Sequence, residues 1–263
     1  MLFVMDVGNS HIKCGIFKED RLINSWRMAT KVERTADEYG IRIMAFFQHG
    51  GHNPKDVKGI MISSVIPTIN YTLQHMCATY FGKQAMTVGP GMKTGINILY
   101  DNPKELGSDR IVGALAAYTL YGGPCIIVDF GTATTFGAVS KNGDFLGGAI
   151  CPGLKISADA LTVNAAKLPR VELVKPEKAI ARNTITGMQA GLIYGYVGQV
   201  DYIIRRFKAE MGDSPKVIAT GGLARLIAQE TNEIDEINSL LTLIGLNLLY
   251  KKNSKNKDEG EGI

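Results

Sequence analysis

Eight residues near the N-terminus, Asp6-Val7-Gly8-Asn9-Ser10-His11-Ile12-Lys13, place a carboxylate, a glycine turn, a hydroxyl and an amine between two apolar runs. A carboxylate beside turn amides repels phosphate unless a cation, typically hydrated Mg²⁺, bridges the two. Gly8 lets the backbone come close, and Asn9, Ser10 and their amides can donate to phosphate oxygens. Lys13, on the returning run, can bring a positive charge over the same phosphates. The stretch is therefore a candidate metal–triphosphate cradle built on a hairpin, and a plain β-hairpin with an Asx turn is the competing reading. The same grammar returns in VDFGTATT (128–135), where Asp129 precedes a glycine turn and Thr132, Thr134 and Thr135 supply hydroxyls. A third segment, ATGGLA (219–224), sets two glycines at a strand–helix junction where a flat base or sugar could lie.

Other chemistries are absent from the sequence. No GxxxxGK[ST] phosphate loop and no GxGxxG dinucleotide fingerprint occur, and GPGMKTG (89–95) has the wrong spacing. His49 and His52 form HxxH without a third ligand. Cys14, Cys77, Cys125 and Cys151 include no CxxC pair and read as buried, reduced thiols of a cytoplasmic protein. A net charge of +4 without dense Lys/Arg clustering argues against a nucleic-acid face and suits a small anionic substrate. The opening MLFVMDVG has no basic leader, and no apolar run is long enough to span a membrane.

These motifs need elements to hold them. Hydrophobic alternation predicts strands over 2–7, 12–17 and 20–30, a helix over 35–49, a strand over 59–67 and a helix over 69–80. A short strand and turn follow over 85–91. GSDRIVGALAAYTLYGG (107–123) reads as a helix capped by Ser108 and stopped by Gly122-Gly123. Residues 124–153 form a β-rich repeat with an Asn142-Gly143 hairpin signal. Gly187, Gly191 and Gly195 line one face of a long helix over 187–211, which suggests a close helix–helix contact. KVIATGGLA (216–224) reads as a strand followed by Gly221-Gly222 and a helix, and a last helix over 235–250 would pack across lobes or onto a partner. Asp6 and Asp129 stand 123 residues apart, about one domain. The expectation is a duplicated βββαβα lobe, residues 1–115 and 116–250, followed by a disordered tail over 251–263.

DVGNSHIK, GSDR and VDFGTATT, with Thr184 downstream, together resemble type III pantothenate kinase, a family of the actin/sugar-kinase/Hsp70 superfamily. The resemblance covers about residues 1–250, and the family's GADR stands here as GSDR. It implies an α/β fold of duplicated ribonuclease-H-like, actin-like ATPase lobes with mixed sheets and an ATP cleft between them. It implies ATP-dependent phosphorylation of pantothenate, the first step towards coenzyme A, by a homodimer that needs neither nucleic acid nor membrane. It further implies that Asp6, Val7, Gly8, Asn9, Ser10, His11, Ile12, Lys13 and Thr132 hold ATP, with Asp6 on Mg²⁺ through water. Asp109 would be the general base, kept ionised by its helix N-terminus. Tyr100, Gly107, Ser108, Arg110 and Thr184 would bind pantothenate, Thr184 from the neighbouring subunit. Asp129 would hold a monovalent cation, K⁺ or NH₄⁺. From the residues alone, Asp129 could equally bind Mg²⁺, Tyr100 could be strand-edge packing, and Thr184 could be a helix N-cap. A kinase for a sugar or acetate, and a nucleotide-sensing regulator, are the rival readings.

Overall fold

The computed structural model of the protein describes residues 1–212 and 214–258. In chain order its elements are β1 (Leu2–Val7), β2 (His11–Lys18), β3 (Arg21–Ala29), α1 (Ala36–His49), β4 (Gly59–Ser64), α2 (Asn70–Phe81), β5 (Met86–Thr87), β6 (Asn97–Ile98), α3 (Ser108–Tyr121), β7 (Cys125–Phe130), β8 (Ala133–Val139), β9 (Asp144–Pro152), α4 (Leu154–Asn164), α5 (Thr184–Met211), β10 (Lys216–Gly221), α6 (Ala224–Ala228), β11 (Glu236–Ile237) and α7 (Leu241–Asp258). The chain divides into two compact units. The first comprises residues 1–97, 101–116 and the segment from Leu240 on; the second comprises 98–100 and 117–239.

In the first unit the strand order is β3-β2-β1-β4-β5. It is antiparallel from β3 to β1 and parallel from β1 to β5. All of β1 is buried, because both faces of the sheet are covered. Alternation sends Phe3, Met5 and Val7 into a core with Tyr39, Ile43 and Phe47 of α1 and Leu73 and Met76 of α2. Leu2, Val4 and Asp6 take the other face. There α7 packs on β1, β2 and β4, and Val4 and Leu243 each lie 3.2 Å from where a Cβ on Gly15 would stand. A capping box between Thr35 and Glu38 starts α1.

In the second unit the order is β11-β10-β7-β8-β9-β6. β7, β8 and β9 are antiparallel, while β10 and β11 continue parallel to β7. Leaving β6 aside, β7 to β11 repeat β1 to β5 strand for strand, so the duplication expected from two short motifs is present in the topology. Ile126, Val128, Phe130, Val217 and Ala219 face a core filled by Leu192, Ile193, Tyr196, Val200 and Ile204 of α5.

The C-terminal region departs from expectation. Residues 235–240 are not helical: Glu236 and Ile237 pair with Ile218 and Ala219 as an edge strand. α7 belongs to the first unit, and it continues through Asp258 where a disordered tail from residue 251 was expected. Lysine is a good helix former, and the added turn is anchored. Asn253 donates to the Lys93 carbonyl and accepts from the Lys93 amide, both at 3.1 Å, and Lys251 pairs with Asp20. Residues 259–263 of that tail lie outside the described residues. The glycines of α5 make no close helix contact within the described residues, since a Cβ on Gly191 or Gly195 would meet nothing within 4 Å. They line the exposed side of a helix whose other side is core.

Candidate active site

The first motif is a hairpin turn with a buried carboxylate at its base. Gly8 N–H donates to the His11 carbonyl at 3.0 Å, which closes the turn. Thr30, which sequence reasoning missed, braces it from just beyond β3: its hydroxyl donates to the Gly8 carbonyl at 2.7 Å and its amide to the Ser10 carbonyl at 3.0 Å. Asn9, Ser10 and His11 are exposed at the tip, while Val7 and Ile12 are core residues. Any contribution of Val7 and Ile12 to a ligand is therefore made by backbone. Asp6 and Lys13 are register partners across β1 and β2, and Lys13 Nζ stands 3.8 Å from Asp6 Oδ2. Asp6 is only 8% exposed, and Oδ2 accepts a 2.8 Å hydrogen bond from the hydroxyl of Thr242 on α7. Sequence reasoning had no signal for that contact.

The GSDR segment forms the first turn of α3 in the same unit. Ser108, expected as the N-cap, is the first helical residue, and its hydroxyl is used elsewhere. It donates to the Ser64 carbonyl at 3.1 Å and shares a 2.9 Å hydrogen bond with the Ser63 hydroxyl. Ser63 is fully buried on β4 and in register with Asp6, so these bonds tie the start of α3 to the sheet beside the phosphate motif. Asp109 Oδ1 accepts from the Arg110 amide at 2.8 Å. A Cβ on Gly107 would stand 2.5 Å from that oxygen, so any larger residue there would displace the carboxylate. Burial, and then the charge of Asp6, raise the Asp109 carboxyl above its ordinary range; the Arg110 amide and guanidinium oppose them. Burial and the Asp6 charge thus act against the ionised form that the helix N-terminus was expected to favour.

The second unit repeats the carboxylate and changes its surroundings. Asp129 is in register with Thr135 on β8 and Thr220 on β10. Thr220 Oγ1 is buried without a hydrogen-bond partner among the described residues. Gly221 has φ +95°, and a Cβ there would stand 2.5 Å from Asp129 Oδ1. Of the three threonines in the motif, Thr132 is exposed at the turn, Thr135 is half-buried, and Thr134 is unavailable to a ligand because its buried hydroxyl bonds to the Tyr196 hydroxyl. Gly153 seats against the turn, for its Cβ would stand 2.2 Å from the Thr132 carbonyl. Tyr100 falls in this unit and its ring lies 6.2 Å from that of Phe145, so it does pack at a strand edge. Thr184 is the exposed first residue of α5, and the N-cap is Asn183, which accepts from the Thr186 amide at 2.9 Å. The structure therefore groups Asp6, Lys13, Ser108, Asp109 and Arg110 in one unit and Asp129, Thr132, Tyr100 and Thr184 in the other.

Among the described residues no group of three or more His, Cys, Asp or Glu is arranged to hold a metal. His52 packs its ring against Trp26 at 6.2 Å. All four cysteines are free thiols, and burial pushes those of Cys14, Cys77 and Cys125 up to about 12. No helix among the described residues is long and apolar enough to cross a membrane.

Comparison with known proteins adds the following. The sequence profile of type III pantothenate kinase matches residues 2–206. Among solved structures, a Campylobacter jejuni protein described as a Baf-family transcriptional activator is 19% identical, with a TM-score of 0.62 over 96% of this chain and 99% of that one. The ethanolamine utilization protein EutJ from Carboxydothermus hydrogenoformans is 12% identical, with a TM-score of 0.56 over 94% and 89%. The inorganic polyphosphate/ATP-glucomannokinase from Arthrobacter sp. strain KM is 13% identical, with a TM-score of 0.52 over 97% and 98%. Such identities carry the fold alone.

Proposed function

The chain belongs to the type III pantothenate kinase family and is a kinase, and on that premise we propose that it transfers the γ-phosphoryl group of ATP to the primary hydroxyl of pantothenate, towards coenzyme A. The observation that carries this reading is the first turn of α3: a half-buried Asp109, raised in basicity, with its carboxylate held by the Arg110 amide and given room by Gly107.

In this reading Asp109 accepts the proton of the pantothenate hydroxyl as its oxygen attacks the γ-phosphorus, and the raised pKa makes it a better acceptor. The Arg110 guanidinium takes the pantothenate carboxylate as a planar fork of donors, with Gly107, Ser108 and Tyr100 lining the pocket. The hairpin-tip residues Asn9, Ser10 and His11 donate to phosphate oxygens, Lys13 offsets their charge, and Thr132 contacts ATP. The hard oxygen of Asp6 suits a hydrated divalent ion, and Mg²⁺ arriving with ATP would supply charge neutralisation between that carboxylate and the phosphates. At the second carboxylate, the buried Thr220 hydroxyl in register with Asp129 gives an all-oxygen donor set of low charge. Those two residues would hold K⁺ or NH₄⁺.

A homodimer with Thr184 facing the partner's pantothenate is part of the proposal. Its support is the exposed side of α5, where Thr184, Gly191, Gly195 and Gly198 share a face with Tyr202, 63% exposed. Ile150 and Val163 of the same unit are 65% and 80% exposed. A cytoplasmic location accords with reduced thiols and the need for ATP.

The test is coupled ADP release with ATP, Mg²⁺ and pantothenate, in potassium and in sodium. ADP release that requires pantothenate and falls in sodium is the expected result. A folded protein that binds ATP yet releases no pantothenate-dependent ADP would end the proposal.

A further inference from the structure

We infer that Thr242, on the C-terminal helix α7, is a positioning residue for the phosphate-site carboxylate Asp6. This rests on the ATP-binding part of the reading above. The Thr242 hydroxyl reaches Asp6 Oδ2 at 2.8 Å across 236 residues of sequence, and both side chains are buried, at 2% and 8% exposure. The pairing follows from the fold: strand alternation puts Leu2, Val4 and Asp6 on the face of β1 that α7 covers. Thr242 lies in the first turn of α7, and its hydroxyl proton is donated to the carboxylate. With Thr242 and Lys13 both on Oδ2, the Asp6 carboxylate is held in one rotamer before any nucleotide arrives.

The next turn of the same helix fixes a second part of the site. A Cβ on Gly245 would stand 2.1 Å from the Val112 carbonyl oxygen, so α7 lies backbone-close to α3, whose first turn carries Asp109. Thr242 and Gly245, three residues apart and so on one face of α7, reference Asp6 and the Asp109 helix to a single rigid element. Outer partners of a metal-facing carboxylate set its orientation, and their loss lowers metal affinity.

The test measures Mg²⁺·ATP binding by calorimetry on the full chain, without pantothenate, for the wild type, Thr242→Ser, Thr242→Ala and Thr242→Val. Ser and Ala both lose the methyl group and only Ser keeps the donor. Ala and Val are expected to weaken Mg²⁺·ATP binding about tenfold, and Ser to stay within about twofold of the wild type. Ala that matches Ser and the wild type would overturn the inference. Should Val not fold, because its methyl faces a carboxylate, the Ala–Ser pair decides. Leu246→Val, a milder core change in the same helix, is expected to lower the melting temperature and leave Mg²⁺·ATP affinity unchanged. A matching loss of affinity in that variant would also overturn the inference, since affinity would then be following stability. A wild type that binds Mg²⁺·ATP but yields no pantothenate-dependent ADP would remove the substrate assignment and leave the role of Thr242 standing.

Discussion

Gly107→Ala tests the link between the fold and the proposed base. The added methyl would stand 2.5 Å from Asp109 Oδ1 and an ordinary 3.8 Å from Val65 Cγ1. To reach the 3.4 Å of normal contact, the carboxylate has to move by about 0.9 Å. That movement breaks its 2.8 Å hydrogen bond from the Arg110 amide. The lost bond costs about 1 kcal/mol, while the stiffer unfolded chain returns about 0.4–1 kcal/mol, so stability changes little. Catalysis is more sensitive, because a displacement near 1 Å at a reacting group costs roughly a hundredfold in rate. The expectation is therefore a kcat about a hundredfold lower, a KM for ATP close to that of the wild type and a nearly unchanged melting temperature. ADP-release kinetics and thermal melts read all three. In an Asp109→Asn background the same substitution should add almost nothing, since the group it displaces has already lost its function. A Gly107→Ala enzyme with kcat within about threefold of the wild type would refute the reasoning.

Asp109→Asn should remove most turnover while keeping ATP binding, and it should stabilise the protein at neutral pH. The folded carboxyl is raised above its unfolded value, so the unfolded chain ionises it first and stability falls as pH rises through that window. Melts of both proteins across the acid range check the sign: the Asn advantage should vanish below the ordinary carboxylate range. The pH dependence of wild-type kcat/KM should fall on its acid side at a value above that of an ordinary aspartate, as the base is protonated. Gly221→Ala should destabilise by roughly 1–3 kcal/mol from its backbone alone, and by more once the contact with Asp129 is added, as thermal melting would show. Ser108→Ala should cost about 1 kcal/mol from the bonds to Ser63 and Ser64, with kcat nearly unchanged.

What the sequence made legible was local. Asp6, the Gly8 turn and the returning strand could be placed from alternation and turn chemistry, and both copies of that pattern lie on matching strands of matching sheets. What escaped it was contact between distant segments. A threonine within the apolar C-terminal helix resembles core filling until α7 is known to cross β1 above Asp6. Ser108 fits an N-cap by type and position, and only the approach of β4 diverts its hydroxyl to Ser64. Thr134 and Thr132 look alike in VDFGTATT, yet the first lies within β8 and is buried against Tyr196, while the second precedes the strand and is exposed at the turn. The sign of the Asp109 shift was missed for the same reason. A helix N-terminus is visible in a sequence, whereas desolvation and a second carboxylate depend on tertiary packing.

The duplication also separates two carboxylates that the sequence left equivalent. Asp6 has a lysine at its register position across the hairpin, and Asp129 has Thr135 there. The Lys13 ammonium stands 3.8 Å from Asp6 Oδ2. Around Asp129 the register neighbours are two threonines, Thr135 and Thr220, neither of which carries a charge. If the proposed monovalent ion acts at Asp129 as the Lys13 ammonium does beside Asp6, an ammonium built in at the same register should replace it. Thr135→Lys places one across from Asp129 as Lys13 stands across from Asp6. Turnover in sodium should then approach turnover in potassium, while Thr135→Met, similar in length and uncharged, should keep the wild-type dependence. The comparison is the ratio of ADP release in the two salts. A Thr135→Lys protein that is folded, active and still as dependent on potassium as the wild type would show that charge at Asp129 is not what the cation supplies.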